Sequence, residues 1–254
     1  MSSQSLAAKL RDGSTVVTGW STLAVPILAE LMARSGYEAV TLDMQHGHHD
    51  ILSVREGIAA SSLGGAHRIV RIPVEDNATA SRVLDLGAEA VIAPMINNAA
   101  DAVAFADAVK YPPVGKRSWG PHRAAMLNGE VPADYLERAN RDLLALAMIE
   151  TPEAIAALDE ILAVPGIDGV FVGPSDLSLT LSNGASLDPN GPETQAVAAE
   201  IAAKANAAGK FAGIFCLLPE KVHEARAMGY CLMAYGIDMM LVTAGATEAV
   251  SETR

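Results

Sequence analysis

Short apolar runs alternate with alanine-rich stretches along nearly the whole chain, and this alternation restricts the possible folds more than any other feature. Strands that alternate with helices pair in parallel and are joined by crossover connections. The runs are apolar throughout instead of alternating with polar residues, which is typical of strands covered on both faces. The eight runs are STVVTGW, YEAVTLD, HRIVRI, AEAVIAP, LLALAMIE, DGVFVG, KFAGIFC and YCLMAYG.

The stretches between most of these runs have the spacing of helices, as in AVPILAELMARSG and TPEAIAALDEILAV. Eight such units in 254 residues predict an α/β fold, a single (β/α)8 barrel domain over residues 1–254. An open doubly wound sheet is the main alternative, but no glycine-rich fingerprint follows the first run. We also expect an N-terminal capping helix and an insertion at the barrel mouth, around residues 111–142.

The chain has 18 basic residues against 30 acidic ones, a formal net charge of −12. This balance argues against nucleic acid or an anionic membrane surface as a partner, because both require a basic face. Cys216 and Cys231 lie in apolar segments without metal-ligand spacing, so we interpret them as buried thiols in a reducing compartment. Without an apolar signal segment or a membrane-length apolar run, the sequence predicts a cytoplasmic protein.

Polar and aromatic side chains follow the predicted strands, at the end where barrel enzymes carry their active sites. A candidate base, a guanidinium group and two carboxylates therefore converge on one mouth, and this is the strongest functional signal in the sequence. In chain order the strand ends carry Trp20, Asp43 with His46, Arg71, Pro94 with Met95, Glu150, Asp176, Cys216 and Tyr235.

Glu150 and Asp176 follow the fifth and sixth predicted strands, which are neighbours in a barrel. Adjacent strands lie about 4.8 Å apart, so both carboxylates could reach one ion. Two carboxylates in an otherwise water-ligated site suit Mg²⁺, and Mn²⁺ or Co²⁺ would also fit. The alternative is that each carboxylate only caps the helix that follows it.

Arg71 ends the third predicted strand, where a guanidinium group can hold a carboxylate through two parallel hydrogen bonds. An ion pair with a neighbouring acidic residue is the alternative. A Schiff-base mechanism lacks a nucleophile, because no lysine falls at the C-terminal end of a predicted strand. The lysines are at positions 9, 110, 116, 204, 210 and 221.

The segment TLDMQHGHHD places an aspartate and three histidines after the second predicted strand. His46 lies three residues beyond Asp43, close enough for one side chain to orient the other, and we predict that His46 is an acid/base group. A solvated loop is expected for His48 and His49. A zinc site is disfavoured, because HGHH lacks helical i, i+4 pairing and the segment has no cysteine.

Several motifs resemble the HpcH/HpaI family of metal-dependent aldolases, which cleave 4-hydroxy-2-oxo acids to pyruvate and an aldehyde. The resemblance spans nearly the whole chain, and it implies a (β/α)8 barrel that assembles as a hexamer (a trimer of dimers) with active sites at subunit interfaces. Two of the motifs, IETPEA and GIDGVFVGPSDLS, are highly specific at this order and spacing. The motifs are LDMQHG (42–47), RIP (71–73), LDLGAEAVIAPM (84–95), YPPVGKRSWG (111–120), IETPEA (149–154) and GIDGVFVGPSDLS (166–178).

The resemblance implies a role for each position that matches a functional residue of the family. The base matches His46, and the arginine that holds pyruvate matches Arg71. The aspartate that raises the basicity of the histidine matches Asp85 and is expected to come from a neighbouring subunit. The two metal carboxylates match Glu150 and Asp176.

The remaining expected substrate-binding residues are Ser175, through its backbone N–H, together with Met148 and Trp20. The chain departs from better-known members at two positions. Gln45 replaces a glutamate before the histidine, and Met148 replaces a glutamine that touches pyruvate. The thioether of Met148 would make the pocket more apolar.

The chemistry that these residues imply is formation of an enolate from pyruvate or a similar 2-oxo acid, stabilised by a divalent ion. Asp43 and Asp85 are expected to hold the imidazole of His46, and no organic cofactor is expected. One alternative is a lyase acting on an acyl-CoA, as in citrate-lyase-like relatives. The other is a catalytically silent barrel that binds an oxo acid.

The insertion between the fourth barrel helix and the fifth strand is too long for an ordinary connection. It carries several side chains that could contact the aldehyde or its distal carboxylate. An arginine-rich segment can equally brace a subunit interface, so both roles stay open. These side chains are Arg117, Trp119, His122 and Arg123.

Overall fold

Each predicted apolar run contains one strand of a closed parallel barrel in the computed structural model, which describes residues 4–253. Every strand pairs in parallel with the next one along the chain, and the last pairs with the first. The predicted single-domain (β/α)8 barrel is confirmed, and the open sheet is excluded. The strands are β1 (Val16–Ser21), β2 (Ala39–Asp43), β3 (His67–Arg71), β4 (Ala90–Ala93), β5 (Leu144–Ile149), β6 (Gly169–Val172), β7 (Phe211–Phe215) and β8 (Leu232–Ile237).

The helices between the strands begin and end at residues that favour such ends. The Asp50 side chain accepts hydrogen bonds from the N–H groups of Leu52 and Ser53 at one helix start, and Gly65 ends that helix in the left-handed conformation. The stretch TPEAIAALDEILAV forms two short helices that meet at Ala157. The helices are α1 (Leu6–Arg11), α2 (Pro26–Arg34), α3 (Ile51–Gly64), α4 (Asn77–Leu86), α5 (Ala99–Val109), α6 (His122–Asn128), α7 (Pro132–Asp142), α8 (Pro152–Ala156), α9 (Leu158–Ala163), α10 (Pro174–Leu181), α11 (Pro192–Ala207), α12 (Pro219–Ala227) and α13 (Asp238–Ser251).

Apolar side chains fill the interior of the barrel as a cluster separate from the layer between strands and helices. Near the mouth this cluster contains Trp20, whose ring centroid lies 5.9 Å from that of Phe171 and 5.2 Å from that of Phe215. At the opposite end, Leu6 and Leu10 of α1 complete it. The polar residues at the strand ends therefore lie next to a layer of packed aromatic side chains.

The insertion at residues 111–142 lies at the N-terminal end of the barrel, not at the mouth where we expected it. The Tyr111 N–H donates to Asn140 Oδ1 (2.7 Å), and Lys110 Nζ donates to the carbonyl of Leu143 (2.5 Å), immediately before β5. Barrel helices run antiparallel to the strands, so a connection from a helix to the next strand reaches that strand's N-terminal end. The expected position at the mouth was wrong for this reason.

A buried ion-pair network ties β3 to the segment before β4 at the same end. Glu89 accepts hydrogen bonds from His67 Nδ1 (3.1 Å) and from Arg68 Nε (3.2 Å). Burial alone would raise the pKa of the Glu89 carboxyl, but the hydrogen bond from His67 and the charge of Arg68 outweigh it and lower the pKa to about 2. The network therefore stabilises the fold while Glu89 is ionised.

Glu89→Gln is expected to lower stability at neutral pH by about 3 kcal/mol, because a pKa lowered from 4.5 to about 2 means that the folded state favours the ionised carboxyl by about that free energy. A carboxyl with a depressed pKa stabilises the fold above its ordinary pKa and loses this contribution as pH falls. The difference between wild type and variant should shrink below pH 4.5 and vanish near pH 2. Urea unfolding of both proteins at several pH values measures it, and a constant difference down to pH 3 would contradict the assignment.

Helix α13 carries an apolar surface that the single chain leaves uncovered. After the buried Asp238, every residue from Met239 to Ser251 is exposed, including Met240, Val242 and Val250. Exposed apolar residues grouped in this way are typical of surfaces that contact other molecules. Among the helices of residues 4–253, none is both long and apolar enough to span a membrane.

Candidate active site

The carboxyl ends of β2 and β3 bring Asp43 and Arg71 side by side, since the two residues are register partners. Arg71 donates from Nε to Asp43 Oδ1 (2.8 Å) and from Nη2 to Asp43 Oδ2 (2.6 Å). The guanidinium carbon lies 4.9 Å above the ring of Trp20, whose Nε1 also donates to Asp43 (3.2 Å). The predicted guanidinium group at the mouth is thus held rigidly, through the ion pair that was the alternative interpretation of Arg71.

Asp43 serves Arg71 and the backbone, which differs from its expected role of orienting the His46 ring. Its Oδ1 accepts from the N–H groups of Gln45 (3.0 Å) and His46 (3.3 Å), so its contact with His46 is to the main chain. Burial would raise the pKa of the Asp43 carboxyl, but the hydrogen bonds and charge of Arg71 hold it below its ordinary value. Asp43 is therefore an ionised partner of Arg71.

The loop after β2 presents His46 to solvent at the mouth and buries His49 beneath it. His46 and His48 are exposed, while His49 is 7% exposed, so the expectation of a solvated loop holds for His48 and is wrong for His49. A side chain at Gly47 would overlap the carbonyl oxygen of Asp43. The tight turn that carries His46 therefore requires glycine.

Glu150, after β5, is 2% exposed and accepts a hydrogen bond from the N–H of Met95 (2.9 Å), which adopts a positive φ of 55°. Burial raises the pKa of the Glu150 carboxyl to about 7. The charge of Asp176 adds to this rise, while the Met95 hydrogen bond and the charge of Arg71 oppose it. The charges of Asp176 and Arg71 thus both act on Glu150, and all three residues lie at the carboxyl end of the barrel strands.

Gly173, directly after β6, lets the Glu150 carboxylate approach the main chain closely. A Cβ atom at this position would lie 2.6 Å from Glu150 Oε2 and 3.0 Å from Cε of the buried Met148. The next residues, Ser175 and Asp176, are half-buried in the first turn of α10, where a helix leaves N–H groups without intrahelical partners. An anionic ligand and the Asp176 carboxylate are both favoured at such a helix start.

The donor set at this end of the barrel fits a hard divalent cation. Glu150 and Asp176 supply carboxylate oxygens, which are the ligands that such an ion prefers. In residues 4–253 no group of three or more histidine, cysteine, aspartate or glutamate residues could hold a metal. An ion held here would thus depend on two protein ligands, with water and substrate oxygens as the others.

Asp85 lies far from the mouth of its own chain. It stands in the last turn of α4, at the N-terminal end of the barrel, and Arg117 Nη2 donates to its Oδ1 (2.6 Å). Arg117 is buried against the ring of Tyr111, while Trp119 of the same segment is exposed. Within one chain, neither Asp85 nor these insertion residues can contact a ligand at the mouth.

Sequence reasoning missed three residues that close the mouth between β1 and β8. The side chain of Ser21 lies between Asp238, to which it donates (3.0 Å), and Nε2 of His49 (3.0 Å). All three are buried. The sequence offered a signal, because Ser21 and Asp238 are polar residues at strand ends, but β8 was predicted to end at Tyr235 and extends to Ile237.

A family model supports the resemblance seen in the motifs. Residues 17–244 match the model described as HpcH/HpaI aldolase/citrate lyase. The chain belongs to this family. The expectation that it is an enzyme, an aldolase of class II, is confirmed at that level.

Individual relatives and structures agree with the family assignment. The hydroxypyruvate/pyruvate aldolase of Rhizorhabdus wittichii is 39% identical over 96% of both chains. The 2-keto-3-deoxy-L-rhamnonate aldolase of Salmonella gallinarum is 32% identical over 92% of this chain and 87% of its own. The structure of an HpcH/HpaI aldolase from Desulfitobacterium hafniense superposes with a TM-score of 0.88, at 25% identity, covering 99% of this chain and 97% of that one.

Proposed function

We propose that this family member is a divalent-metal-dependent aldolase that reversibly cleaves 4-hydroxy-2-oxo acids to pyruvate, or a similar 2-oxo acid, and an aldehyde. The observation that carries the proposal is the position of Arg71, Glu150 and Asp176 at the same end of the barrel, after β3, β5 and β6, where the charges of the other two act on Glu150. A 2-oxo acid presents a carboxylate and an adjacent carbonyl oxygen, which match a guanidinium group beside a cation site. The names of the relatives support the same donor class.

In this proposal Glu150 and Asp176 hold the ion (Mg²⁺, Mn²⁺ or Co²⁺), which when bound supplies a Lewis acid for the developing enolate. Arg71 binds the substrate carboxylate. Asp43 accepts hydrogen bonds from Nε and from one N–H of Nη2 of Arg71. The N–H groups of Nη1 and the second N–H of Nη2 are thus left to donate to the substrate. The first-turn N–H groups of Ser175 and Asp176 add neutral donors on the other side.

His46 is proposed as the base, because it is the exposed imidazole nearest the end of β2. In cleavage it takes the proton of the 4-hydroxyl group while the bond between C3 and C4 breaks. The aldehyde leaves, and the electron pair of the broken bond forms the enolate of pyruvate. Return of a proton to C3 completes the reaction, and condensation follows the reverse order.

We further propose that the protein is a homo-oligomer, a hexamer built as a trimer of dimers, with sites at subunit interfaces. Two observations support assembly. The apolar residues of α13 after Asp238 are uncovered in the single chain, and Trp119 is exposed in the insertion at the end opposite the mouth. If Asp85 reaches His46, it must do so in a neighbouring subunit.

Exchange of the methyl protons of pyruvate with solvent deuterium tests the proposed function without any aldehyde. The enzyme with Mg²⁺ should catalyse the exchange in D₂O, and loss of the methyl signal in proton NMR measures its rate. Arg71→Lys keeps the charge but loses the planar fork, so its rate should fall by about 30- to 1,000-fold, as for the loss of about 2–4 kcal/mol of oxyanion stabilisation.

Different outcomes separate the alternatives. A barrel that only binds an oxo acid would not catalyse the exchange, and the pyruvate methyl signal would stay unchanged. A lyase acting on an acyl-CoA would exchange the methyl protons of acetyl-CoA instead. An Arg71→Lys variant that exchanges pyruvate at the normal rate would show that Arg71 serves only the fold.

A further inference from the structure

A buried carboxylate that takes no part in the proposed reaction lies where the barrel closes. Asp238 begins α13 and is 0% exposed. It accepts hydrogen bonds from the hydroxyl groups of Ser21 (3.0 Å) and Thr22 (2.7 Å). The backbone N–H groups of Thr22, Leu23 and Met239 also donate to it. A charged acceptor with several neutral donors forms strong, well-directed bonds, so Asp238 fixes the segment after β1.

These bonds continue to the loop after β2. Ser21 Oγ lies 3.0 Å from His49 Nε2, and we call Asp238, Ser21, Thr22 and His49 the Asp238 cluster. Because Ser21 gives its only hydroxyl proton to Asp238, Nε2 of His49 must be the donor to Ser21. Burial lowers the pKa of His49, which favours the neutral ring with Nδ1 toward Ser53 (3.1 Å).

Backbone contacts link the same cluster to the turn that carries His46. The N–H of His48 donates to the carbonyl of Thr22 (2.7 Å). The backbone of Gly47 packs so closely on Thr22 that a Cβ atom would lie 3.0 Å from that carbonyl oxygen. On the other side, Asp43 binds the N–H of His46 (3.3 Å). The main chain of His46 is thus held between Asp43 and the Asp238 cluster.

We propose that Asp238, acting through Ser21, Thr22 and His49, is a positioning residue for His46. The inference rests on the proposed function, in which His46 is the base. The position of the exposed His46 ring depends on the position of its main chain, and the Asp238 cluster helps to fix that main chain. A displacement of a catalytic group by about 1 Å costs on the order of 100-fold in rate. Loss of the cluster should therefore reduce turnover more than substrate binding.

Ser21→Ala and Asp238→Asn test the proposal, with Thr18→Val as the matched control. Thr18 is also a buried hydroxyl residue of β1, but its side chain is bonded to Thr41 on β2 (2.8 Å) and to the carbonyl of Gly19, and not to the Asp238 cluster. Both cluster variants should lower kcat by about 10- to 100-fold and change KM less than about threefold. Hydrogen–deuterium exchange followed by mass spectrometry should show lost protection at residues 44–49.

The control separates positioning from stability. Thr18→Val should lower the melting temperature while residues 44–49 stay protected and kcat stays near normal. Cluster variants that keep both the protection and kcat would overturn the proposal, and so would an equal loss in the control. If Asp238→Asn fails to fold, Ser21→Ala decides. If the wild type shows no aldolase activity, the proposed function fails, while the exchange of residues 44–49 still reports whether the cluster holds the loop.

Discussion

We expect chelation of divalent cations to abolish cleavage of 4-hydroxy-2-oxo acids by this protein, and Mg²⁺, Mn²⁺ or Co²⁺ to restore it. This result is expected because Glu150 and Asp176 are the two carboxylates proposed to hold the ion at the mouth. Glu150→Gln should be nearly as damaging as removal of the ion, since an amide supplies no negative charge to a hard cation. The amide oxygen can still accept from the N–H of Met95, so the fold should survive.

Glu153→Gln is the matched control, because this carboxylate is exposed on α8, three residues beyond Glu150. It should leave activity and metal affinity unchanged. Titration of Mn²⁺, followed by electron paramagnetic resonance, measures affinity apart from activity and should detect no tight site in Glu150→Gln. Full activity in a chelated sample free of metal would sink the metal assignment.

His46→Ala should suppress aldol cleavage and the proton exchange of pyruvate together, by about 100- to 10,000-fold, the usual contribution of a general base. Metal affinity should stay near the wild-type value, because His46 is not among the proposed ligands. His48→Ala is the matched control, since both side chains are exposed on the same loop. Loss of Mn²⁺ binding in His46→Ala would instead indicate that histidine is a ligand.

Mixed oligomers test whether the same site is shared between subunits. Asp85→Asn chains should be impaired, with a shift in the acidic limb of the pH–rate profile, if Asp85 supports His46 of a neighbour. Mixing them with His46→Ala chains should then restore part of the activity, because some interfaces carry both intact residues. No recovery in oligomers verified to be mixed would count against the shared site.

The strand ends at the mouth could be predicted because a barrel turns sequence order into spatial order. Once eight strands were recognised, Asp43, Arg71, Glu150 and Asp176 had to meet at one end. Their hydrogen-bond partners could not be predicted, because the distances between side chains decide whether each group binds a substrate or a neighbouring residue. Arg71 thus pairs with Asp43, and Asp43 binds the main chain of His46 and not its ring.

Other features escaped the sequence because they join distant segments or depend on direction. His49 looks like a neighbour of His48 in a polar loop, and only the contact with Ser21 explains its burial. The insertion at residues 111–142 has the length of a functional loop, but the direction of the chain after α5 places it at the N-terminal end of the barrel, opposite the mouth. Asp238 follows the last strand directly, but the sequence does not show that its partners lie 215 to 217 residues away, at the end of β1 and just after it.

The bond between Ser21 and Asp238 joins positions 217 residues apart, across the seam where β8 meets β1. During synthesis this bond cannot form until residue 238 has left the ribosome, whereas Glu150 and Asp176 follow neighbouring strands that pair without the seam. A chain that stops before residue 238 would therefore contain both carboxylates and lack the bonds from Asp238 to the segment after β1. Under the proposed roles, the support for the loop of His46 is the last part of the site to be completed.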